Sequence, residues 1–165
     1  MPEIRVLKYE LLNPHINDSR LKYNDEEHKY FIDDIPVEIS VSGFVHSLFK
    51  PFIDEVVIGN ILRSSKIKDP AYEYYNMNAI QIKQSWVERA RLGTVLHYDI
   101  ESFYNNEPYE NNTVEFQYFL NFYRDFSYLT VYRTEWRIFC KKANIAGTID
   151  MLFRDISGNY LIFAN

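Results

Sequence analysis

The order of secondary-structure patterns after residue 78 constrains the fold of this chain more than any other feature. Apolar residues recur at helical spacing over residues 78 to 104, and a second helical pattern, rich in Phe and Tyr, covers residues 114 to 123. Three strand-like runs follow, at residues 134 to 141, 145 to 154 and 160 to 163. Because Ser157-Gly158-Asn159 is a short turn, the last two runs are expected to pair as an antiparallel hairpin. Helices followed by hairpin strands predict an α+β domain.

The N-terminal quarter of the chain has a weaker strand pattern. Two short extended runs, at residues 28 to 32 and 37 to 41, flank Asp33-Asp34-Ile35-Pro36 and predict a β-hairpin with a loose turn. We therefore predict an N-terminal β-hairpin extension over residues 1 to 42, followed by a core over residues 43 to 165.

Further helices are predicted at the start of that core. Either Ser40 or Ser42 is placed to cap a helix over residues 43 to 49, and residues 54 to 64 continue with another apolar helical pattern. Within the long helix, Gly93 weakens helix formation by about 1 kcal/mol relative to Ala. We therefore expect Gly93 to permit close packing or the approach of a ligand.

Composition excludes several classes of protein. Hydrophobic residues make up 47% of the 165 residues and aromatic residues 17%, which is incompatible with a disordered chain and sufficient for one buried core. The single cysteine, Cys140, excludes an internal disulfide and a cysteine-rich zinc site. No apolar run approaches the roughly 20 residues that cross a bilayer, and the N-terminus lacks the zones of a signal peptide. We therefore expect an intracellular protein, cytosolic or nuclear, with no membrane partner.

The net charge of −5 argues mildly against nucleic acid as a partner, because non-specific DNA binding depends on Lys and Arg neutralising phosphates. The basic residues nevertheless cluster, and most such clusters are solvated faces. The candidates for DNA contacts within them are Arg89, Arg91 and Arg137.

His97 and Asp150 are placed to hold a divalent metal ion, with Glu101 beside His97. His97 and Glu101 are four apart on the predicted long helix and therefore share one face. Asp150 ends an apolar strand in which Gly147 lets a neighbouring element approach. Mg²⁺ prefers oxygen ligands and Mn²⁺ also accepts imidazole, so these side chains suit either ion if they converge. Such an ion polarises a phosphodiester and lowers the pKa of an attacking water.

Each candidate also has an ordinary explanation. A His four residues before a Glu is frequent by chance, and Asp150 has the position of an ordinary strand-end carboxylate. Glu135, beside Trp136, has the position of a surface residue on an edge strand.

Order and spacing together point to a known family. The relevant segments are Leu92-Gly93-Thr94-Val95-Leu96-His97-Tyr98-Asp99-Ile100-Glu101, Glu135-Trp136-Arg137-Ile138-Phe139, Ala146-Gly147-Thr148-Ile149-Asp150 and Tyr160-Leu161-Ile162-Phe163-Ala164-Asn165. They resemble the RecB-like branch of the PD-(D/E)XK nucleases, in the form carried by large DNA viruses and phages. That family has a GT-x-x-H-x-x-x-E helix, a G-x-x-D strand and a D-x-K strand in this order.

The resemblance covers about residues 40 to 165 and implies a restriction-endonuclease-like core that is incomplete at its C-terminus. It implies a metal-dependent nuclease that hydrolyses phosphodiesters and has DNA as the partner of the parent enzyme. His97 and Asp150 would be ligands of Mg²⁺ or Mn²⁺. Glu101 and Glu135 would support them, so that the catalytic carboxylates are Glu101, Glu135 and Asp150.

The resemblance fails at its last motif. Ala164 stands where the family has a metal-binding Asp, and the family's Lys would lie one residue beyond Asn165. That Lys orients the water or stabilises developing charge. We therefore expect weakened metal binding and impaired catalysis. Two explanations are open: an engineered or truncated piece of a longer nuclease, or a naturally shortened relative.

A binding module is the alternative function. A nuclease-like fold that has lost its chemistry would hold DNA or a protein partner, and the acidic charge favours a protein. The apolar strand Tyr160–Phe163 needs a neighbour, because an edge strand exposes unpaired backbone groups. We expect earlier strands to flank it on both sides, or a second copy of the chain to pair with it in a homodimer.

Overall fold

A computed structural model describes residues 7–24 and 26–163 of the protein, and these residues form an α+β fold. The helices in this part of the chain are α1 (Lys8–Leu12), α2 (Val41–Ser47), α3 (Asp54–Arg63), α4 (Ala79–Asn105) and α5 (Val114–Asp125). The strands are β1 (Leu21–Asn24), β2 (Lys29–Ile32), β3 (Ile35–Pro36), β4 (Ile39–Ser40), β5 (Thr130–Cys140), β6 (Ile145–Arg154) and β7 (Tyr160–Phe163). The predicted long helix, aromatic helix and three final strands are confirmed.

The chain divides into two compact units. One consists of Met1–Leu48 with Asp99–Asn165, and the other of Phe49–Tyr98. These bounds differ from the predicted extension over residues 1 to 42 and core over residues 43 to 165. The division places the N-terminal strands and the three final strands in the same unit.

Local sequence explains where the helices begin. At the start of α4, Asn78 Oδ1 accepts a hydrogen bond from the Gln81 N–H at 3.0 Å, and Gln81 Oε1 accepts one from the Asn78 N–H at 2.9 Å. This reciprocal pair satisfies two backbone donors that a helix start leaves without partners. At the start of α2, Ser40 Oγ accepts from the Gly43 N–H at 3.0 Å, so Ser40 is the cap of that helix.

The N-terminal sheet differs from the predicted hairpin. Strands β1, β2 and β3 are antiparallel neighbours, and β2 turns into β3 through Asp33 and Asp34, whose φ angles are 52° and 65°. Two left-handed residues in succession make a tight two-residue turn, so the predicted loose turn is wrong. The predicted pairing of residues 28 to 32 with residues 37 to 41 is also wrong, because the tight turn pairs β2 with β3 instead. Within that range, β4 crosses to the second sheet and pairs in parallel with β6.

Strand β6 is the centre of the second sheet. Antiparallel β5 borders one edge of it, while β4 pairs with Ile145 and Ala146 on the other edge. Further along that edge, β7 pairs antiparallel with β6 from Met151 to Arg154, which confirms the predicted hairpin. Among the described residues β7 has β6 as its neighbour and no strand on its other side. In the described residues, β7 is therefore not flanked by strands on both sides, as one of the two expectations required. Pairing of β7 with a second copy of the chain stays a prediction.

Aromatic side chains fill the space between α5 and the second sheet. The ring centroid of Phe163 in β7 lies 5.2 Å from Phe122 in α5 and 5.3 Å from Phe153 in β6. The Tyr104 ring of α4 lies 5.7 Å from Phe153, and burial raises the pKa of the Tyr104 hydroxyl. Burying one such ring contributes about 1.5–3 kcal/mol. Helix α5 thus covers the apolar face of the final strand within one chain.

The unit formed by Phe49–Tyr98 has its own small core. Ile58 of α3 and Ile82 of α4 are buried, and the Trp86 indole N–H donates to the Tyr74 hydroxyl at 2.9 Å. No helix in the described ranges is both long enough and apolar enough to span a membrane.

Candidate functional site

The β5–β6 register relates two of the predicted site carboxylates. Thr134 pairs with Met151 and Trp136 pairs with Ile149, so Glu135 lies opposite Asp150. Residues at opposing positions are the nearest side-chain neighbours between two strands. The register therefore gives Glu135 and Asp150 opposing backbone positions, and a shared site formed by their carboxylates stays a prediction.

Glu135 has an unusual backbone conformation for a strand residue. Its φ angle is 45°, in the left-handed region, in the middle of an eleven-residue strand. Glycine adopts this region freely and Asn or Asp with moderate ease, but Glu has no such preference. A residue held there costs about 1–3 kcal/mol and persists only when its surroundings fix it. The sequence gives no sign of this conformation.

Residues from the N-terminal segment hold one flank of Glu135. Asp18 accepts from Arg133 Nη1 at 2.9 Å and from the Trp136 indole N–H at 3.2 Å. The Arg133 side chain is only 5% exposed and that of Asp18 16%. Burial alone would raise the pKa of the Asp18 carboxyl, but hydrogen bonds from Arg133, the His15 N–H and Trp136, with the charge of Arg133, lower it overall.

Helix α4 holds the other flank. Asn105 Nδ2 donates to Thr134 Oγ1 at 3.0 Å and to the Glu101 carbonyl oxygen at 2.9 Å. Glu101, Asn105 and Thr134 are all buried. The Asn105 Oδ1 atom is also buried and finds no hydrogen-bond partner among the described residues. Sequence reasoning missed Asn105 because an Asn near the end of a helix ordinarily indicates only a helix end.

Gly147 opens the sheet just before Asp150. A Cβ atom at Gly147 would lie 2.8 Å from Val41 Cγ2, so the predicted close approach of a neighbouring element is confirmed. That element is the start of α2, where the chain leaves β4. Along β6, Asp150 follows Gly147 by three residues and directly precedes Met151. Met151 pairs with Phe163 in β7. Ala164, the predicted degenerate position, lies outside the described residues.

Two other predictions concern α4. His97 is half-buried and belongs to the Phe49–Tyr98 unit, whereas Glu101 and Asp150 belong to the other unit. Convergence of His97 on Asp150 therefore stays a prediction. The close packing expected at Gly93 is wrong for the described residues, because no atom outside the helix's own backbone lies within 4 Å of a Cβ built there. The approach of a ligand at Gly93 stays a prediction.

Residues 7–24 and 26–163 contain no group of three or more His, Cys, Asp or Glu side chains that could hold an ion. Mg²⁺ is commonly bound through one or two carboxylates, with waters and substrate phosphates completing its octahedral shell. Glu135 and Asp150 suit that kind of binding by their chemistry, and binding of Mg²⁺ or Mn²⁺ stays a prediction.

The three arginines predicted to contact DNA are all exposed. Arg89 pairs with Glu73, and Arg91 makes two hydrogen bonds to the Glu88 carboxylate at 2.7 and 2.8 Å. These two positive charges are therefore locally balanced. The Arg137 guanidinium lies 5.8 Å from the centre of the Tyr23 ring.

Comparisons of the chain with protein-family models, with curated proteins and with solved structures give no match.

Proposed function

We propose that this chain is the core of a RecB-like PD-(D/E)XK nuclease, or a fragment of one, with Glu135 and Asp150 as paired site carboxylates. The observation that carries the proposal is the position of Glu135 opposite Asp150, in a left-handed conformation inside a strand. Strained residues of this kind concentrate at functional sites. The helix containing Glu101 is followed along the chain by the strand containing Glu135 and then the strand containing Asp150. This is the order of elements in the family, which also supports the proposal. The finer fold assignment, a restriction-endonuclease-like core, is part of this proposal.

The proposed reaction is hydrolysis of DNA phosphodiesters with Mg²⁺ or Mn²⁺. A bound ion would supply charge stabilisation and a more acidic water. The role of Asp150 and Glu135 is to present negative oxygens to such an ion.

The chain as it stands is expected to be inactive. Ala164 offers no side-chain oxygen where the family has an Asp. Removing a group that stabilises charge in a transition state typically costs a factor of about 10²–10³.

A binding module is the second candidate function. Its partner would be DNA or a protein, and the net charge of −5 favours a protein. A second copy of the chain, paired along β7, is the partner that the open edge of that strand would accept.

Mn²⁺ binding followed by NMR tests the proposed site. Sub-stoichiometric Mn²⁺ broadens the resonances of nuclei near a bound ion, even where binding is weak. We expect the amides of Glu135 and Asp150 to broaden first. Asp150→Asn should remove this selectivity, whereas Asp34→Asn, which removes an exposed carboxylate from the β2–β3 turn, should preserve it. Broadening that is spread evenly over acidic surfaces, or that survives Asp150→Asn, would contradict the proposed site and favour the binding module.

A further inference from the structure

We infer that Asn105 is a positioning residue for Glu135, acting through the hydroxyl group of Thr134. The inference rests on the proposed function and concerns how its carboxylates are held in place. The Asn105 amide acts on Glu135 through Thr134, the preceding residue, whose hydroxyl accepts from Asn105 Nδ2.

The two hydrogen bonds of the Asn105 amide join two elements. One ends on the Glu101 carbonyl in α4, and the other ends on Thr134 Oγ1 in β5. Thr134 directly precedes Glu135, so a fixed Thr134 side chain fixes the strand at the point where the left-handed turn begins. The same amide therefore sets the helix that carries Glu101 against the strand that carries Glu135.

The buried Asn105 side chain lowers the stability of the fold, which suggests that its hydrogen bonds serve the proposed site. Asn105 is 7% exposed, and its Oδ1 atom is buried without a hydrogen-bond partner in the described part of the chain. An unsatisfied buried acceptor is destabilising, whereas replacing both partners by apolar groups of the same shape is nearly neutral. An apolar pair at residues 105 and 134 would pack here without that cost. An Asn at residue 105 is explained if fixing the position of Thr134 is more important for the proposed site than the stability that the unsatisfied Oδ1 atom removes.

Glu135 is held from two directions. Asp18 anchors Arg133 and Trp136 on either side of it, and Asn105 anchors Thr134 from α4. A strained conformation needs this kind of over-determination. With the Asn105 contact removed, Glu135 is free to relax toward the extended conformation of its neighbours.

The decisive variants are Thr134→Val and Thr134→Ser. Val keeps the shape of Thr but has no oxygen to accept from Asn105, whereas Ser keeps the oxygen and loses only a methyl group. Backbone chemical shifts of Glu135 should show the left-handed conformation in the unmodified chain and in Thr134→Ser, and an extended conformation in Thr134→Val. The Mn²⁺ concentration that broadens the Glu135 and Asp150 amides should rise roughly tenfold in Thr134→Val and stay unchanged in Thr134→Ser, as is typical for loss of an outer-shell partner.

Two further variants separate positioning from general loss of stability. Phe119→Leu weakens the aromatic core, in which the Phe119 ring lies 5.1 Å from Phe103, and should leave both readouts as in the unmodified chain. Asn105→Leu removes the donor instead of the acceptor and should reproduce Thr134→Val, which keeps the test valid if one of the two fails to fold.

The outcomes distinguish the inference from the proposed function. If the unmodified chain shows selective broadening and the folded Thr134→Val or Asn105→Leu variant matches it in both readouts, the inference is wrong and the proposed site stands. If the unmodified chain shows no selective broadening at all, the proposed site fails and the role of Asn105 fails with it.

Discussion

Glu135 lies opposite Asp150 between the ladder pairs Thr134–Met151 and Trp136–Ile149, and it does so with a φ of 45°. Neither residue is in a loop, although both are proposed site residues. The proposed site therefore lies within the sheet, where the surrounding hydrogen bonds can hold a strained backbone in place.

The left-handed conformation predicts an unusual order of stability for two substitutions at residue 135. Glu135→Asn should be more stable than Glu135→Val by about 1–3 kcal/mol, because Asn tolerates a positive φ and a β-branched residue does not. Urea unfolding of both variants measures the difference. An ordinary strand residue would show the reverse order, since Val is favoured and Asn disfavoured in strands.

The anchor between Asp18 and Arg133 should be important for stability. Asp18→Asn is expected to lower the free energy of unfolding by about 2–3 kcal/mol, somewhat less than for a fully buried pair, because it leaves the enclosed Arg133 charge uncompensated. The matched control is Asp34→Asn, which removes an exposed ion pair with Lys22 and should have no measurable effect. Urea unfolding that shows equal effects for the two variants would contradict the anchoring role.

The lowered pKa of Asp18 makes stability depend on acid in a defined direction. Its carboxyl ordinarily titrates near 3.8, and the folded state holds the pKa below that value. The stabilisation is therefore complete above the unfolded pKa and is lost as the pH falls through the folded pKa. Between about pH 6 and about pH 3, the free energy of unfolding should fall more in the unmodified chain than in Asp18→Asn. Parallel pH profiles for the two proteins would show that Asp18 is not the responsible group.

Two glycines should respond oppositely to alanine. Gly147→Ala places a Cβ 2.8 Å from Val41 Cγ2 and should destabilise the protein by about 1–3 kcal/mol. Val41→Ala should restore only part of that loss in the double variant, because it removes Cγ2 but leaves the Val41 Cβ 3.0 Å from the new Cβ. Gly93→Ala meets no described atom within 4 Å and should stabilise the protein by about 0.5–1 kcal/mol through higher helix propensity. Thermal or urea unfolding checks all four variants.

The helices and the final strands could be predicted because their signals are local. The α4 cap requires only Asn78 and Gln81, three residues apart, and the β6–β7 turn requires only the short segment around Gly158. The β2–β3 turn was mispredicted because Asp33 and Asp34 suit several turn types, and only their two left-handed φ angles select the tight one.

The supports of the candidate site could not be predicted, since they join distant parts of the chain. Asn105 and Thr134 are 29 positions apart, and Asp18 and Arg133 are 115 apart. Motif spacing identified Glu135 and Asp150 as candidates, but their opposition depends on the β5–β6 register. The conformation of Glu135 is set by tertiary contacts and opposes the preference of its own side chain.

Cleavage of DNA by a restored chain tests the central claim most directly. Ala164→Asp with a lysine appended after Asn165 rebuilds the family's last motif. Purified unmodified chain should not cleave DNA with Mg²⁺ or Mn²⁺. The restored chain should cleave it in a chelator-sensitive way, and Asp150→Asn within the restored chain should abolish that activity. Robust chelator-sensitive cleavage by the unmodified chain, or full activity of the restored chain carrying Asp150→Asn, would contradict the account.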